Sequence, residues 1–191
     1  MITRDSLMTL EAYARSRKVE HAAFIAHRRL RSVRLGPHLN LQFEDERTVR
    51  YQIQEVLRIE RIFEEEGIQG EIDAYAPLLP DGRCWTATLL IEIPEPEDRR
   101  RELAKLLGIE ARVYVEVAGQ ARVYAADATG LDHDGLAKTS AVHFVRFALP
   151  QPVREAVQAG AGVTLGCDHA HQSGQVQIAG ATLASLVADL R

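Results

Sequence analysis

The sequence contains little cysteine, few aromatic residues and no long apolar run. Its two cysteines, Cys84 and Cys167, are too few for a disulfide framework and indicate a reduced, cytosolic setting. No apolar run approaches the roughly 20 residues that cross a bilayer, and residues 1–18 lack the apolar centre of a secretory signal. Aromatic residues make up 6% of the chain, which disfavours a base-stacking surface. We therefore expect a cytoplasmic protein that has no membrane and no nucleic acid as its partner.

Several catalytic and binding motifs are also absent. The chain contains no phosphate-binding loop, no GxGxxG fingerprint and no GxSxG elbow, so nothing supports a nucleotide-binding protein or a serine hydrolase. It contains no CxxC or HExxH pair, so a metal site would need ligands brought together from distant segments. The net charge of −4 argues against a general nucleic-acid binder.

The remaining composition is that of a globular α+β protein. Hydrophobic residues make up 46% and charged residues 26% of the 191 positions, which suffices for a core without a metal or disulfide staple. Leu39, Leu41 and Phe43 alternate with polar residues, which predicts a strand. Hairpin patterns outnumber strand–helix–strand units, so we predict a mainly antiparallel sheet with several helices packed against it. Residues 1–191 are interpreted as a single domain, with a helix and hairpin part to about residue 82 and a meander with inserted helices from about residue 83.

Periodicity and turn residues place the individual elements. A first helix capped by Asp5 or Thr9 is predicted to continue to Phe24 or beyond, and the clearest helix covers residues 46–66, closed by Gly67 and Gly70. Further predicted helices cover residues 97–107, 152–159 and 182–190, predicted strands cover 85–93, 112–117, 121–126, 141–149 and 163–168, and a loop covers 127–138.

Glu60 is the most conspicuous candidate residue of the helix predicted at 46–66. On a helical wheel it lies in the middle of an apolar stripe that contains Val49, Ile53 and Phe63. A carboxylate that faces a core needs a compensating cation or a metal. Arg146 shares its strand face with apolar residues, so a buried Glu60–Arg146 ion pair is the favoured interpretation. A metal ligand or a general acid or base is the alternative.

A basic segment follows in the first third of the chain. Arg28, Arg29, Arg31 and Arg34 are predicted to form an exposed cationic face that binds an anion or an acidic partner. The alternative is a surface neutralised by nearby acids such as those at residues 44–45 and 64–66.

Histidines provide the candidate metal ligands. Cys167, His169 and His171 would project on one side of an extended chain, which suits zinc, although a polar loop after a strand gives the same letters. His143 lies in an apolar row of its strand and is interpreted as a core residue unless the fold brings other ligands to it.

The chain resembles an uncharacterised bacterial family, domain of unknown function 3501. The matching stretches are residues 25–38, 43–44, 48–55, 58–62, 71–75, 79–82, 87–88, 139–144 and 168–169. The resemblance implies a genomic neighbourhood of rubrerythrin-like proteins and iron–sulfur oxidoreductases, and hence a link to peroxide handling or electron transfer. It also implies tyrosine more often than histidine at position 171, so we expect His169 to matter more than His171. The candidate functional residues inside the matching stretches are His27, His38, Glu55, Glu60, His143 and His169.

Two functional hypotheses follow. The favoured one is a non-catalytic accessory protein that binds a rubrerythrin-like or iron–sulfur partner in a redox or iron-linked system through its basic segment. The alternative is a metal-binding enzyme in which Glu60, His143 and His169 hold iron or zinc.

Overall fold

Two antiparallel β-sheets and six α-helices form the part of the chain that the computed structural model describes, residues 2–128 and 138–191. The predicted α+β class is confirmed. The helices are α1 (Leu10–Leu30), α2 (Glu46–Glu60), α3 (Glu65–Tyr75), α4 (Pro96–Lys105), α5 (Gln151–Gln158) and α6 (Gly180–Val187). The strands are β1 (Ser32–Leu35), β2 (Leu39–Phe43), β3 (Cys84–Ile91), β4 (Val113–Val117), β5 (Val123–Tyr124), β6 (Ala126–Asp127), β7 (Val142–Ala148), β8 (Val163–His169) and β9 (Gln172–Ile178).

The strands form two sheets rather than one. Sheet A has the order β1-β2-β3-β7-β6, and sheet B has the order β5-β4-β8-β9. Every pairing between neighbours is antiparallel, as the hairpin patterns predict. The segment predicted as one strand over residues 121–126 is divided, because β5 pairs with β4 in sheet B while β6 pairs with β7 in sheet A.

Alternating apolar residues place the main core between the sheets. Leu39, Leu41 and Phe43 of β2 are 0% exposed, and they join a single apolar cluster with Val115 of β4 and Leu165 of β8. A second cluster lies on the other side of sheet A, where α2 and α3 bury Val49, Ile53, Leu57, Ile68 and Ile72. Sheet A is therefore covered on both faces.

The last helix packs against the only tryptophan of the chain. Trp85 on β3 is 0% exposed, and its indole Nε1 donates to the main-chain oxygen of Leu186 in α6 at 2.8 Å. The main-chain nitrogen of Arg191 donates to the oxygen of Gly82 at 2.9 Å. The C-terminal residues are thus joined to the start of β3.

Helix α2 is shorter than its sequence pattern indicates. Asp45 and Thr48 form a capping box at its start. Arg61 ends the helix in the left-handed region with φ 54°, and α3 begins at Glu65. Gly67 and Gly70 lie inside α3 instead of ending α2, because burial of Ile68 and Ile72 outweighs the poor helix propensity of glycine.

β9 was not anticipated from the sequence, because its uncharged, glycine-containing segment has no regular alternation of apolar residues. The predicted loop at 127–138 lies largely outside the described residues. Among the described residues, no helix is long and apolar enough to span a membrane.

Candidate functional site

Helices α1 and α2 contact each other through polar side chains. Over its 21 residues α1 buries only Tyr13, whereas a surface helix ordinarily buries an apolar stripe. Tyr13 contacts Glu55 late in α2, and His27 contacts Asp45 at the start of α2, so the helices are antiparallel. We call this contact the α1–α2 seam, formed by Tyr13, Arg17, His21, Phe24, His27 and Arg28 on one side and Glu44, Asp45, Tyr51 and Glu55 on the other.

Glu55 accepts three short hydrogen bonds at one end of the seam. Tyr13 Oη donates at 2.6 Å, and Arg17 donates from Nε at 2.8 Å and from Nη2 at 2.9 Å. Arg58 adds a contact at 3.2 Å. The hydrogen bonds from Arg17 lower the pKa of Glu55 to about 2, against the opposing effect of burial. Burial and the Glu55 carboxylate raise the pKa of Tyr13 above its ordinary value, so a neutral phenol and a guanidinium hold an ionised carboxylate.

Aromatic rings form the middle of the seam. The rings of Phe24 and Tyr51 stack with centroids 3.8 Å apart, and His21 Nδ1 lies 2.6 Å from the Tyr51 hydroxyl. The guanidinium of Arg28 lies 5.1 Å from the Phe24 ring centroid. These contacts connect the ionic groups at the two ends of the seam.

Four charged or titratable groups meet at the other end. His27 Nε2 lies 2.6 Å from Asp45 Oδ2, and Arg31 lies 3.4 Å from Asp45 and 2.5 Å from Asp189. Burial raises the pKa of Asp45, but Arg31, the hydrogen bond from Thr48 and His27 together lower it below its ordinary value. Burial also raises the pKa of Asp189, and Arg31 only partly offsets this effect.

Glu44 is a buried carboxylate where α1, α2 and sheet A meet. It is 1% exposed. Thr48 donates to it at 2.5 Å, Thr88 at 2.8 Å and Gln52 at 2.9 Å, and Arg28 lies at 3.1 Å. A buried charge with this many donors is satisfied in place. Glu44 therefore anchors Arg28 of α1 to sheet A.

A cleft of about 550 Å³ opens beside Asp45 and Asp189, lined also by the turn at residues 79–82 and by Arg191. The acidic side chains that line it are each engaged by arginine: Asp45 and Asp189 by Arg31, Glu46 by Arg50, and Asp81 by Arg146. The described carboxylates of the seam and the cleft are thus held in fixed pairs, so neither presents an unengaged carboxylate base.

The prediction of a buried Glu60–Arg146 pair is wrong. Glu60 is exposed as the last residue of α2, because the helix ends there and its final turn extends beyond Leu57, the last buried residue of the stripe. Phe63, assigned to the same stripe, is 66% exposed. Arg146 instead contacts Asp81 at 2.8 Å.

The prediction that Arg28, Arg29, Arg31 and Arg34 form one exposed cationic face is wrong for two of them. The side chain of Arg31 is 1% exposed and that of Arg28 11%, since both point inward to carboxylates. Arg34 lies on β1 and contacts Glu92, and Arg29 is exposed on α1. The segment crosses from helix to strand at Arg31, so its arginines point in different directions.

The candidate metal ligands Glu60, His143 and His169 do not come together. His143 is 4% exposed, and its Nε2 lies 2.8 Å from Thr139 Oγ1. His169 Nε2 contacts the oxygen of Leu107, and His171 is exposed. Within residues 2–128 and 138–191, no group of three or more His, Cys, Asp or Glu side chains is placed to hold a metal ion. Cys167 is a free, buried thiol, and His38 Nδ1 lies 3.3 Å from the oxygen of Glu92.

The side of α1 that faces away from the seam is an exposed surface with positive charge. Its residues lie within one arc of the helix, and all are exposed. We call it the outer face of α1, and it consists of Glu11, Arg15, Lys18, Val19, Ala22, Ile25, Ala26, Arg29 and Leu30, with three cations to one acid. A wheel drawn over residues 10–30 would have shown this arc, but the sequence does not show which side of such a helix is packed.

Comparison with known proteins assigns the family. The family described as "Protein of unknown function (DUF3501)" matches residues 1–190. The chain belongs to the DUF3501 family. A crystal structure of a protein of unknown function from Burkholderia pseudomallei K96243 is similar to this DUF3501 protein over its whole length. The two are 51% identical with a TM-score of 0.94, covering 100% of this chain and 99% of the other. A search of curated proteins finds no match to this DUF3501 protein.

Proposed function

We propose that this DUF3501 protein is a non-catalytic binding protein that docks an acidic partner on the outer face of α1, within a redox or iron-linked system. One observation carries the proposal: α1 is 21 residues long, buries only Tyr13 and presents an outer face with exposed cations and apolar side chains. The partner class, a rubrerythrin-like or iron–sulfur protein, is supported by the resemblance to the family.

The charges of this face are available to a partner. Arg15, Lys18 and Arg29 form no salt bridge with another described residue. Arg17 and Arg28 on the opposite side of the helix are already bound to Glu55 and Glu44. The seam therefore engages the inner cations of α1 and leaves the outer ones to attract acidic groups.

Apolar side chains between these cations offer area to bury. Val19 is 71% exposed, Leu30 43% and Ile25 39%. Ala22 and Ala26 lie between them and are small enough for a partner to approach the helix closely. An apolar centre with a charged rim is the usual composition of a protein interface.

A groove continues the face at its C-terminal end. It has a volume of about 340 Å³, and it shares Ile25 and Arg29 with the outer face. Arg28 and Arg34 also line it but are paired with Glu44 and Glu92. Arg29, which forms no salt bridge with another described residue, is therefore the group in this groove that can bind a carboxylate of the docked partner.

A second copy of the chain does not suit this surface. Antiparallel pairing of two α1 helices about Ala22 places Arg29 opposite Arg15, and parallel pairing places each cation opposite itself. Like charges in both arrangements oppose self-association. Charge complementarity therefore favours a different, acidic protein.

The test uses titration calorimetry with purified rubrerythrin-like and iron–sulfur proteins that are encoded beside this protein. Their binding to wild type is compared with their binding to K18E/R29E. The double charge reversal is expected to weaken binding about tenfold, since each exposed pair contributes about 0.2 to 1 kcal/mol. Added salt should weaken wild-type binding as well. Arg31 is left intact, because reversing a buried charge would unfold the protein.

The matched control is R100E/K138E, which reverses two exposed charges away from α1. It should bind as wild type does. Equal affinity of K18E/R29E and wild type, or equal losses in both double variants, would contradict docking on the outer face of α1.

A further inference from the structure

Strand β9 is an open sheet edge. It lies at one end of sheet B and pairs with β8 along all its residues from Gln172 to Ile178. In the described part of the chain, no backbone hydrogen bond reaches β9 from outside this ladder. Ser173, Gln175 and Gln177 are exposed. A row of main-chain N–H and C=O groups on the far side of β9 is therefore free to pair with another strand.

The other three sheet edges formed by the described residues are protected. β1 has four residues, carries the charged Arg34 and ends in the Gly36-Pro37 turn. β5 and β6 have two residues each, and β6 contains Asp127. Short strands, charges and prolines are the means by which soluble proteins prevent edge pairing. β9 has seven residues and contains no charge and no proline, so none of these means applies to it.

β9 is also held in a fixed position. A Cβ atom on Gly174 would lie 4.0 Å from Leu35 of β1, and one on Gly36 would lie 2.7 Å from Nε2 of Gln172. This close packing of β1 covers one face of β9 and leaves its edge open.

We propose that β9 pairs with β9 of a second copy of the chain, antiparallel about a two-fold axis at Gln175. This register places Gln172 opposite Ile178, Ser173 opposite Gln177 and Gly174 opposite Val176. The four strands of sheet B from each copy then form one continuous sheet across the dimer.

Self-pairing follows from the composition of the strand. In a two-fold pairing every residue of β9 meets a residue of the same set, so any net charge in the strand would repel itself. β9 contains no charged residue, so it does not repel a second copy of itself. It also has no charge that would favour binding of a different, oppositely charged protein. The pairing also covers the free edge of both copies at once. This inference is independent of the acidic partner, which docks on α1.

The first measurement is the mass of the purified wild-type chain by sedimentation velocity across micromolar concentrations. A reversible dimer is expected, and its dissociation constant should change little with salt because the paired residues are uncharged. A chain that stays monomeric throughout would overturn the proposal.

The decisive variants are S173K/Q175K/Q177K and S173E/Q175E/Q177E. Each places like charges opposite one another across the axis, and each alone is expected to be monomeric at concentrations where wild type is dimeric. Mixing the two in equal amounts should restore a dimer, because every like pair becomes an opposite pair. Circular dichroism should show that each variant is folded before its mass is measured by sedimentation velocity.

The matched control is Q69K/Q151K/Q158K, which adds the same charge at exposed glutamines outside β9. It should dimerise as wild type does. A dimer that survives S173K/Q175K/Q177K unchanged, or a mixture that stays monomeric, would show that the copies do not pair through β9.

Discussion

Arg31 and Asp189 lie 158 positions apart in the chain, and yet the Nη2 atom of Arg31 lies 2.5 Å from Oδ2 of Asp189. Arg31 also donates to the main-chain oxygens of Phe43 at 3.2 Å, Glu44 at 2.9 Å and Ser185 at 3.2 Å. Its side chain is 1% exposed. One buried guanidinium therefore joins the end of α1, the end of β2 and α6.

Replacing Arg31 should destabilise the protein strongly. R31M removes the cation but keeps most of the side-chain volume, so the Asp45 and Asp189 carboxylates remain without their partner. We expect the free energy of unfolding, measured by urea denaturation, to fall by about 3–5 kcal/mol. The control is R34M, which removes the exposed Arg34–Glu92 ion pair and should change the free energy of unfolding by less than about 1 kcal/mol. Similar losses in both variants would mean that burial of Arg31 has no special energetic role.

Glu44 and Glu60 should respond differently to the same substitution. E44Q places an amide among the hydrogen-bond donors around a buried site, and we expect a loss of about 3 kcal/mol or more. E60Q changes an exposed side chain at a helix end and should stay within about 0.5 kcal/mol. Thermal and urea unfolding of the two variants measure the difference. A larger effect at Glu60 than at Glu44 would reverse our assignment of the buried carboxylate.

Glu55 should make stability depend on pH in the acid range. Its pKa is lowered to about 2 in the folded protein from an ordinary value of 4.5, so the folded state binds fewer protons than the unfolded state there. The resulting stabilisation is complete above about pH 4.5 and is lost as the pH falls toward 2. E55Q should therefore show a shallower decline across this interval than wild type. Parallel urea titrations measure both slopes, and identical slopes would contradict the prediction.

The two thiols should be unreactive in the folded protein. Cys84 is 0% and Cys167 2% exposed, and burial raises the pKa of both, which keeps them in the weakly nucleophilic thiol form. Ellman's reagent should detect almost no thiol at neutral pH under native conditions and two per chain in denaturant. Rapid native labelling of Cys167 would indicate that β8 opens readily.

Local patterns sufficed for most helices and for the strands other than β9 and the divided pair β5 and β6. The alternation of Leu39, Leu41 and Phe43 predicts β2 because one face of a strand must meet a core, and the structure buries all three. The end of α2 could not be predicted this way, since the left-handed turn at Arg61 carries no glycine or proline signal. The helical wheel therefore extended the apolar stripe from Leu57 to Phe63, beyond the true end of the helix, and placed Glu60 between them in the core.

The site was less predictable because its contacts are distant in sequence. Glu55 and the basic segment can be picked out as candidates in the sequence. Nothing in the sequence singles out Tyr13, Asp45 or Asp189, because their contacts with Glu55 and Arg31 form only in the folded chain. The residues next to an arginine in the sequence do not show whether its side chain will be buried or exposed. The orientation of Arg28 and Arg31 toward carboxylates thus depends on the packing of α1 over α2 and sheet A.

The contact between Trp85 and Leu186 allows the position of α6 to be followed by tryptophan fluorescence. Because the chain has a single tryptophan, its fluorescence comes from one buried indole whose Nε1 is bonded to α6. Water that reaches the ring should shift the emission to longer wavelength. A change in tryptophan emission therefore reports the separation of α6 from β3. Ultraviolet excitation at the long-wavelength edge of the indole absorption band, where tyrosine hardly absorbs, can follow that event without any added label.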